Sequence, residues 1–225
     1  MKWYKYLPEI HADSMIRNGC IKLGILSGYR EIEKHGIAVG DPDENTRTIF
    51  SHDKGVKTSL DQLNPLERQF INFGEGVTVK DIHIENNSFH VHEQGEELLA
   101  YCVSKPFDLA SMQKMSEENI AADNDAYDAC VEISNHAGFI REVSTYLKNE
   151  HGFQCVGHGD CFYAGRMVHW STAHASSAWS LKDASYAYQK ESRIVLRPPE
   201  GFDQENLIVN IPEIKKYCRL YELPA

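Results

Sequence analysis

Residues 186–196 read YAYQKESRIVL, a polar run that passes directly into the branched apolar residues Ile194, Val195 and Leu196 ahead of Pro198 and Pro199. Such a run reads as a β-strand, in which side chains two apart share a face. Gln189, Glu191 and Arg193 are then expected to project together, with Tyr188, Lys190 and Ser192 on the reverse. A carboxylate flanked on one face by an amide and a guanidinium suits a polar functional site. The same pattern also fits an exposed strand carrying an ordinary Arg–Glu surface pair, which is common and weak.

Moving outward, residues 207–211 (LIVNI) repeat the strand pattern. Pro212, at the favoured first position of a helix, then opens a closing helix with Ile214, Tyr217, Cys218 and Tyr221 on its apolar face. Upstream, Phe162, Tyr163 and Ala164 form a short strand. Phe139, Ile140, Val143 and Leu147 line one helical face as far as Gly152, and Tyr127, Cys130, Val131 and Ser134 show the spacing of a second helix. Period two in residues 77–84, the pair Asn86-Asn87, then Phe89 and Val91 and finally LLAYCVS (residues 98–104) predict a β-meander. Residues 36–55 hold few apolar anchors and read as a long loop. The chain opens with a strand over residues 3–7, a helix over 11–18 stopped by Gly19, and a strand over 20–26. No repeat, low-complexity tract or break in composition divides residues 1–225, so one α+β domain with strands from both chain ends is expected.

Apolar residues make up 42% of the 225 and charged residues 25%, the balance of a globular protein with its own core. A net charge of −10 argues against broad affinity for phosphate backbones, which needs clustered Lys and Arg. With no long uncharged apolar run and no apolar segment of signal-peptide length at the start, no membrane association and a cytoplasmic location are expected. The six cysteines are scattered, and a chain of this size does not need disulfides. Cys155, His158 and Cys161 form a C-x2-H-x2-C run, followed by His169 and His174, whose ligand types suit zinc, although a closed site needs four ligands and the spacing leaves the fourth unassigned. The alternative is a glycine-rich turn with buried cysteines.

The pair Gln189-x-Glu191 on a late strand resembles the Gln-x-Glu or Glu-x-Glu pair of ADP-ribosyltransferases. The start is similar too: Trp3-Tyr4-Lys5-Tyr6, the helix with Ser14 to Gly19, and Ile21 to Gly24 match the strand, short helix and glycine-containing turn of those enzymes, with Lys5 where they carry Arg or His. The chain also resembles a bacterial and phage family of unassigned activity, through Tyr4-Lys5-Tyr6, Gly40-Asp41-Pro42-Asp43-Glu44 and the Gln189 to Arg193 strand.

The resemblance implies a split antiparallel or mixed sheet with flanking helices and NAD as substrate, with ADP-ribose passing to a protein or nucleic-acid acceptor. It implies that Glu191 is the catalytic carboxylate supporting charge at the ribose, and that Gln189 orients the acceptor. Tyr4, Lys5, Tyr6, Arg30, Tyr188 and Arg193 would hold the cofactor, with residues 41–58 as a lid. Trp3, Trp170, Trp179 and Tyr186 are further candidates for stacking on its rings, and Ser171-Thr172 or Ser176-Ser177 would stand for a Ser-Thr-Ser element. Arg30 has a fork that suits a pyrophosphate, or else it pairs with Glu33 or Asp41. The alternative within the same fold is a non-catalytic protein of phage or bacterial defence that binds a nucleotide or a basic partner.

Overall fold

A computed structural model describes residues 2–30, 41–52, 88–169 and 177–224. In chain order its elements begin with β1 (Trp3–Leu7), α1 (Glu9–Asn18), β2 (Cys20–Ile25), β3 (Thr46–His52), β4 (Ser88–Gln94) and β5 (Leu99–Ser104). There follow α2 (Leu109–Ala121), β6 (Ala129–Ile133), α3 (His136–His151), β7 (Gln154–Asp160), β8 (Phe162–Tyr163) and β9 (Met167–His169). The last strands are β10 (Leu181–Lys182), β11 (Glu191–Arg197), β12 (Asn206–Asn210) and β13 (Cys218–Leu220). The α+β class expected from the sequence is what the chain adopts.

Eight strands form one antiparallel sheet, and the pairing around β5 decides its shape. One edge of β5 pairs along its whole length with β11, from Glu191 opposite Ser104 to Leu196 opposite Leu99, and β7 extends the sheet beyond β11. The other edge is shared: β1 meets it at Ser104, while β2 meets it at Leu99 and Ala100. Residues 101–103 therefore lie in a fork where β1 and β2 part. Beyond the fork β1 carries β6 and β13, and β2 carries β12.

Alternation along the strands gives the two faces different coverings. Trp3, Tyr101, Val131, Ile133, Ile194 and Leu196 point into the main core, where α1 supplies Ala12 and Met15 and α3 supplies Phe139, Val143 and Leu147. On the reverse face Tyr6, Cys130 and Met112 of α2 make one small cluster, and Leu26, Leu98, Ala100 and Val195 make another. Between these two clusters the reverse face is polar. β3, β4 and β9 form a separate three-stranded sheet, and β8 and β10 a parallel pair.

Several expectations are corrected. The stretch around residues 127–134 is not a helix: β6 is buried at all five positions, so it lacks the alternation that identifies a half-exposed strand. Residues 46–52, expected in a loop, form β3 and pair along their length with β4, which joins that small sheet and not a meander with β5. Cys155 and His158 of the C-x2-H-x2-C run lie in β7 and not in a turn, and Cys161 follows the end of the strand. The closing helix is a single 3-10 segment, Pro212–Tyr217, after which Cys218 enters β13. α2 had no counterpart in the periodicity, although its cap is regular: Asp108 accepts from the N–H groups of Ala110 and Ser111. Residues 77–87 lie outside the described residues. No helix among the described residues is long and apolar enough to cross a membrane.

Gly19 ends α1 in the left-handed region, with φ of 70°, and a Cβ there would also collide with the carbonyl of Ile211. Gly201 has φ of 83° with open space around it. Gly201→Ala is therefore expected to cost about 1 kcal/mol of backbone strain. Gly19→Ala adds the steric clash and is expected to cost roughly twice that or more in urea unfolding; equal costs at the two sites would contradict the close approach of α1 to the turn after β12.

Candidate functional site

The approach to β11 is built before the strand begins. Asp183 caps a 3-10 turn, Ala184–Gln189, and Lys190 then takes a left-handed conformation with φ of 47°. Gln189 is thus at the end of a helical turn and not in the strand, so strand alternation does not place it beside Glu191. Lys182 of β10 does: its Nζ donates to Gln189 Oε1 at 2.5 Å and to Glu191 Oε2 at 2.7 Å. The Glu191 backbone is pinned as well. Its N–H donates to the Tyr163 hydroxyl at 2.5 Å, its carbonyl accepts from Cys161 N–H at 2.9 Å, and Lys105 N–H donates to the neighbouring Lys190 carbonyl at 3.0 Å.

The reading of this strand as an exposed charged face is overturned by burial: Glu191 is 7% exposed and Arg193 1%. Arg193 lies across three elements. Its Nε donates to Glu191 Oε1 at 2.5 Å, its Nη1 and Nη2 grip the two Glu44 oxygens at 2.7 and 2.9 Å, and Nη1 also reaches the Trp179 carbonyl at 2.6 Å. Arg166 pairs with Asp41 and donates to the carbonyls of Thr46 at 3.1 Å and Leu181 at 3.3 Å. Asp41, Glu44 and Glu191 are thereby matched by Arg166, Lys182 and Arg193, and the cluster is formally neutral.

Burial by itself pushes the Glu191 carboxyl up, but the charges of Arg193 and Lys182 override it and hold the group well below the usual carboxylate range. Burial works the opposite way on the cations, and Glu191 and Glu44 overcome it for Arg193, whose pKa is raised; Lys182 is likewise raised, chiefly by Glu191. The Glu191 carboxyl is thereby held in its ionised form at neutral pH.

Beside this cluster lies a small cleft of about 50 Å³, lined by Tyr4, Lys5, Tyr6, Cys102, Ser104, Tyr127, Gln189 and Glu191 among others. Its floor is a cross-strand row: Tyr4 is opposite Ser104, and Ser104 is opposite Glu191. Lys5 occupies the fork, where its Nζ donates to the Cys102 carbonyl at 2.9 Å. Burial lowers its pKa, against the pull of Cys102 and Glu191.

The structure brings five of the sequence candidates, Tyr4, Lys5, Tyr6, Gln189 and Glu191, to this one cleft. Arg193 belongs to the same cluster, with its donors engaged by Glu44, Glu191 and Trp179, and so positions Glu191. Arg30 is outside the cleft lining: its Nε donates to the Glu44 carbonyl at 2.8 Å, and its buried Nη2 has no hydrogen-bond partner among the described residues. Asp41 belongs to Arg166 and not to Arg30, and Glu33 lies outside the described residues.

Tyr188 also stands away from the cleft lining, with its hydroxyl donating to Glu118 at 3.3 Å and Lys114 Nζ 3.9 Å above its ring. Trp3 is a core residue and Trp179 packs against the cluster that holds Val195. Trp170, Ser171, Thr172 and Ser176 lie outside the described residues. Of the expected lid, residues 41–52 are a turn and a strand, with Asp41 and Glu44 buried in the charged cluster.

The Cys155, His158 and Cys161 run is stretched along β7 and its end. Cys155 and His158 are separated by roughly 10 Å of extended backbone, Cys155 is exposed, and Cys161 is buried beside Glu191 and Arg193. The three do not converge, and no group of metal-binding side chains occurs among the described residues.

Lys182, Glu44, Ser104 and Tyr163 were missed by sequence reading. Glu44 had a signal, since it closes the Gly40 to Glu44 motif; Lys182 and Tyr163 had none, because their places depend on a turn and a two-strand pairing that no periodicity reports.

Arg193→Met leaves two buried carboxylates facing an apolar side chain and is expected to cost about 3–5 kcal/mol in urea unfolding at pH 7. Glu191 has a folded pKa below its ordinary 4.5, so its stabilisation is complete above that value and is lost as pH falls through the folded one. The stability of wild type relative to Glu191→Gln should therefore be greatest near neutral pH and shrink on acidification below about 4.5; a gap that widens in acid would contradict the ion pairing.

No protein-family model, no curated protein sequence and no solved structure matches this chain, so its function is argued from the residues of the cleft themselves.

Proposed function

We propose that the cleft between β1 and β11 is an ADP-ribosyl-transfer site that takes NAD as substrate, with Glu191 as the catalytic carboxylate and Gln189 beside it orienting the acceptor. The observation that carries this reading is convergence. Tyr4, Lys5 and Tyr6, from the beginning of the chain, line the same cleft as Gln189 and Glu191, from near its end. These are the elements through which the chain resembles ADP-ribosyltransferases.

The chemistry asks for a carboxylate that is ionised and fixed. As the bond between nicotinamide and ribose breaks, positive charge grows at the ribose carbon while nicotinamide departs neutral, and an acceptor atom then bonds to that carbon and gives up its proton to solvent. A carboxylate already aligned when the charge appears stabilises the transition state without reorganising. Lys182 and Arg193 supply that alignment by taking one oxygen of Glu191 each. Beyond these two contacts and the neighbouring Cys102 thiol, the carboxylate keeps lone-pair capacity for a ribose hydroxyl. Of the two acceptor classes, the net charge of −10 favours a protein with a basic surface over nucleic acid.

The same two contacts favour a second reading, a binding protein without turnover. Glu191 is compensated by two cations, which weakens the negative potential that catalysis would use.

Nicotinamide release from NAD separates the two. Wild type is expected to release nicotinamide, and Glu191→Gln to lower the rate by about 10²–10³-fold while keeping the wild-type circular dichroism. Saturable NAD binding with no release would support the binding protein, and neither binding nor release would overturn both readings.

A further inference from the structure

We propose that Lys5 is a reactive amine that captures small aldehydes as imines in the cleft between β1 and β11. The inference uses the same cleft as the NAD reading but goes beyond it, because it concerns an amine and a carbonyl compound and involves no nucleotide.

Lys5 has an unusual setting among the lysines. Lys182, Lys190, Lys105 and Lys2 each hold a carboxylate oxygen within 2.5–3.0 Å. Lys5 has no such ion pair among the described residues, and its Nζ meets neutral groups, donating to the Cys102 carbonyl and lying 5.3 Å from the centre of the Tyr101 ring. The cause is topological. At the fork residues 101–103 of β5 have lost a strand neighbour, and the Lys5 amine takes up the carbonyl that a strand N–H would otherwise have served. Glu191, the nearest carboxylate of the cleft lining, is already held by Lys182 and Arg193 and is not drawn to Lys5.

Burial favours the uncharged form of this amine. Of the titratable groups that act on it, Cys102 and Glu191 favour the charged form and Lys22 disfavours it, and burial outweighs the first two. An uncharged amine is a nucleophile towards carbonyl carbon. The cleft, at about 50 Å³, has room for roughly three or four water-sized groups, which suits an aldehyde of two or three carbons. Hydroxyl groups of Ser104 and Tyr127 line the same space as proton donors and acceptors.

The step balances without an oxidant or reductant. The Nζ lone pair adds to the carbonyl carbon, the carbonyl oxygen takes a proton to give a carbinolamine, and that oxygen then leaves as water. Nitrogen gives up its remaining proton and forms the C=N bond, so that amine and aldehyde yield imine and water.

The test is reductive trapping. Folded wild type at pH 7 is exposed to limiting acetaldehyde and sodium cyanoborohydride, which fixes an imine as an N-ethyl amine, and the lysines are compared by peptide mass mapping. Ethylation of Lys5 is expected to exceed that of the exposed lysines Lys22, Lys148 and Lys215 severalfold, and the excess is expected to vanish in urea. Labelling of Lys5 at or below the rate of those three lysines in folded protein would overturn the proposal. Because NAD is absent from the experiment, that failure leaves the transferase reading standing, and failure of NAD turnover leaves this one standing.

Discussion

The polar half of this protein depends on the burial of one guanidinium. Arg193 sits on a central strand where apolar neighbours are the rule, and it remains there because Glu44 and Glu191 take its donors from opposite sides. A buried ion pair gains little over an apolar core of the same shape, but losing one partner is costly. The arrangement therefore fixes geometry more than it adds stability. It ties the turn at residues 41–45 to β11, and through Lys182 it ties β10 and Gln189 to the same carboxylate. Each tie restricts Glu191, whose two oxygens end up at defined positions at the edge of a cleft.

The sheet adds a second constraint. Two strands cannot occupy the same edge of β5, so β1 and β2 part around residues 101–103 and leave backbone groups to be satisfied by a side chain. Lys5 does this for the Cys102 carbonyl. On the reverse face Gly24 admits the Tyr29 ring, since any Cβ at that position would occupy its space. The fork therefore combines a polar row, Tyr4, Ser104 and Glu191, with an amine that has been drawn out of water. A cleft of this composition is better suited to chemistry on a small polarised group than to holding a large apolar ligand.

Much of the skeleton was legible in the chain. β1, α1 with its Gly19 stop, β2, α3 up to Gly152, and β11 all follow from periodicity and from glycines in the left-handed region. What escaped was structure without amphipathic contrast. β6 is buried on both faces, and β7 is rich in glycine and lies at a sheet edge, so neither shows the alternation that marks a half-buried strand. The site was half legible. Glu191 and Arg193 share a face because they are two apart in a strand, whereas Gln189 joins them through Lys182 and a left-handed Lys190 that no spacing rule predicts. Arg30 and Tyr188 were grouped with the site by residue type, and the fold sends them elsewhere: Arg30 to the backbone of Glu44, Tyr188 to Glu118 on α2.

The convergence of the β1 residues with Gln189 and Glu191 is the centre of the functional account, and a crystal structure of Glu191→Gln grown with saturating NAD tests it most directly. The account predicts the nicotinamide-bearing ribose at the mouth of the β1/β11 cleft, with a hydroxyl within hydrogen-bond reach of residue 191 and beside Tyr4 and Ser104. NAD bound away from that row, or no NAD bound at all, would contradict it.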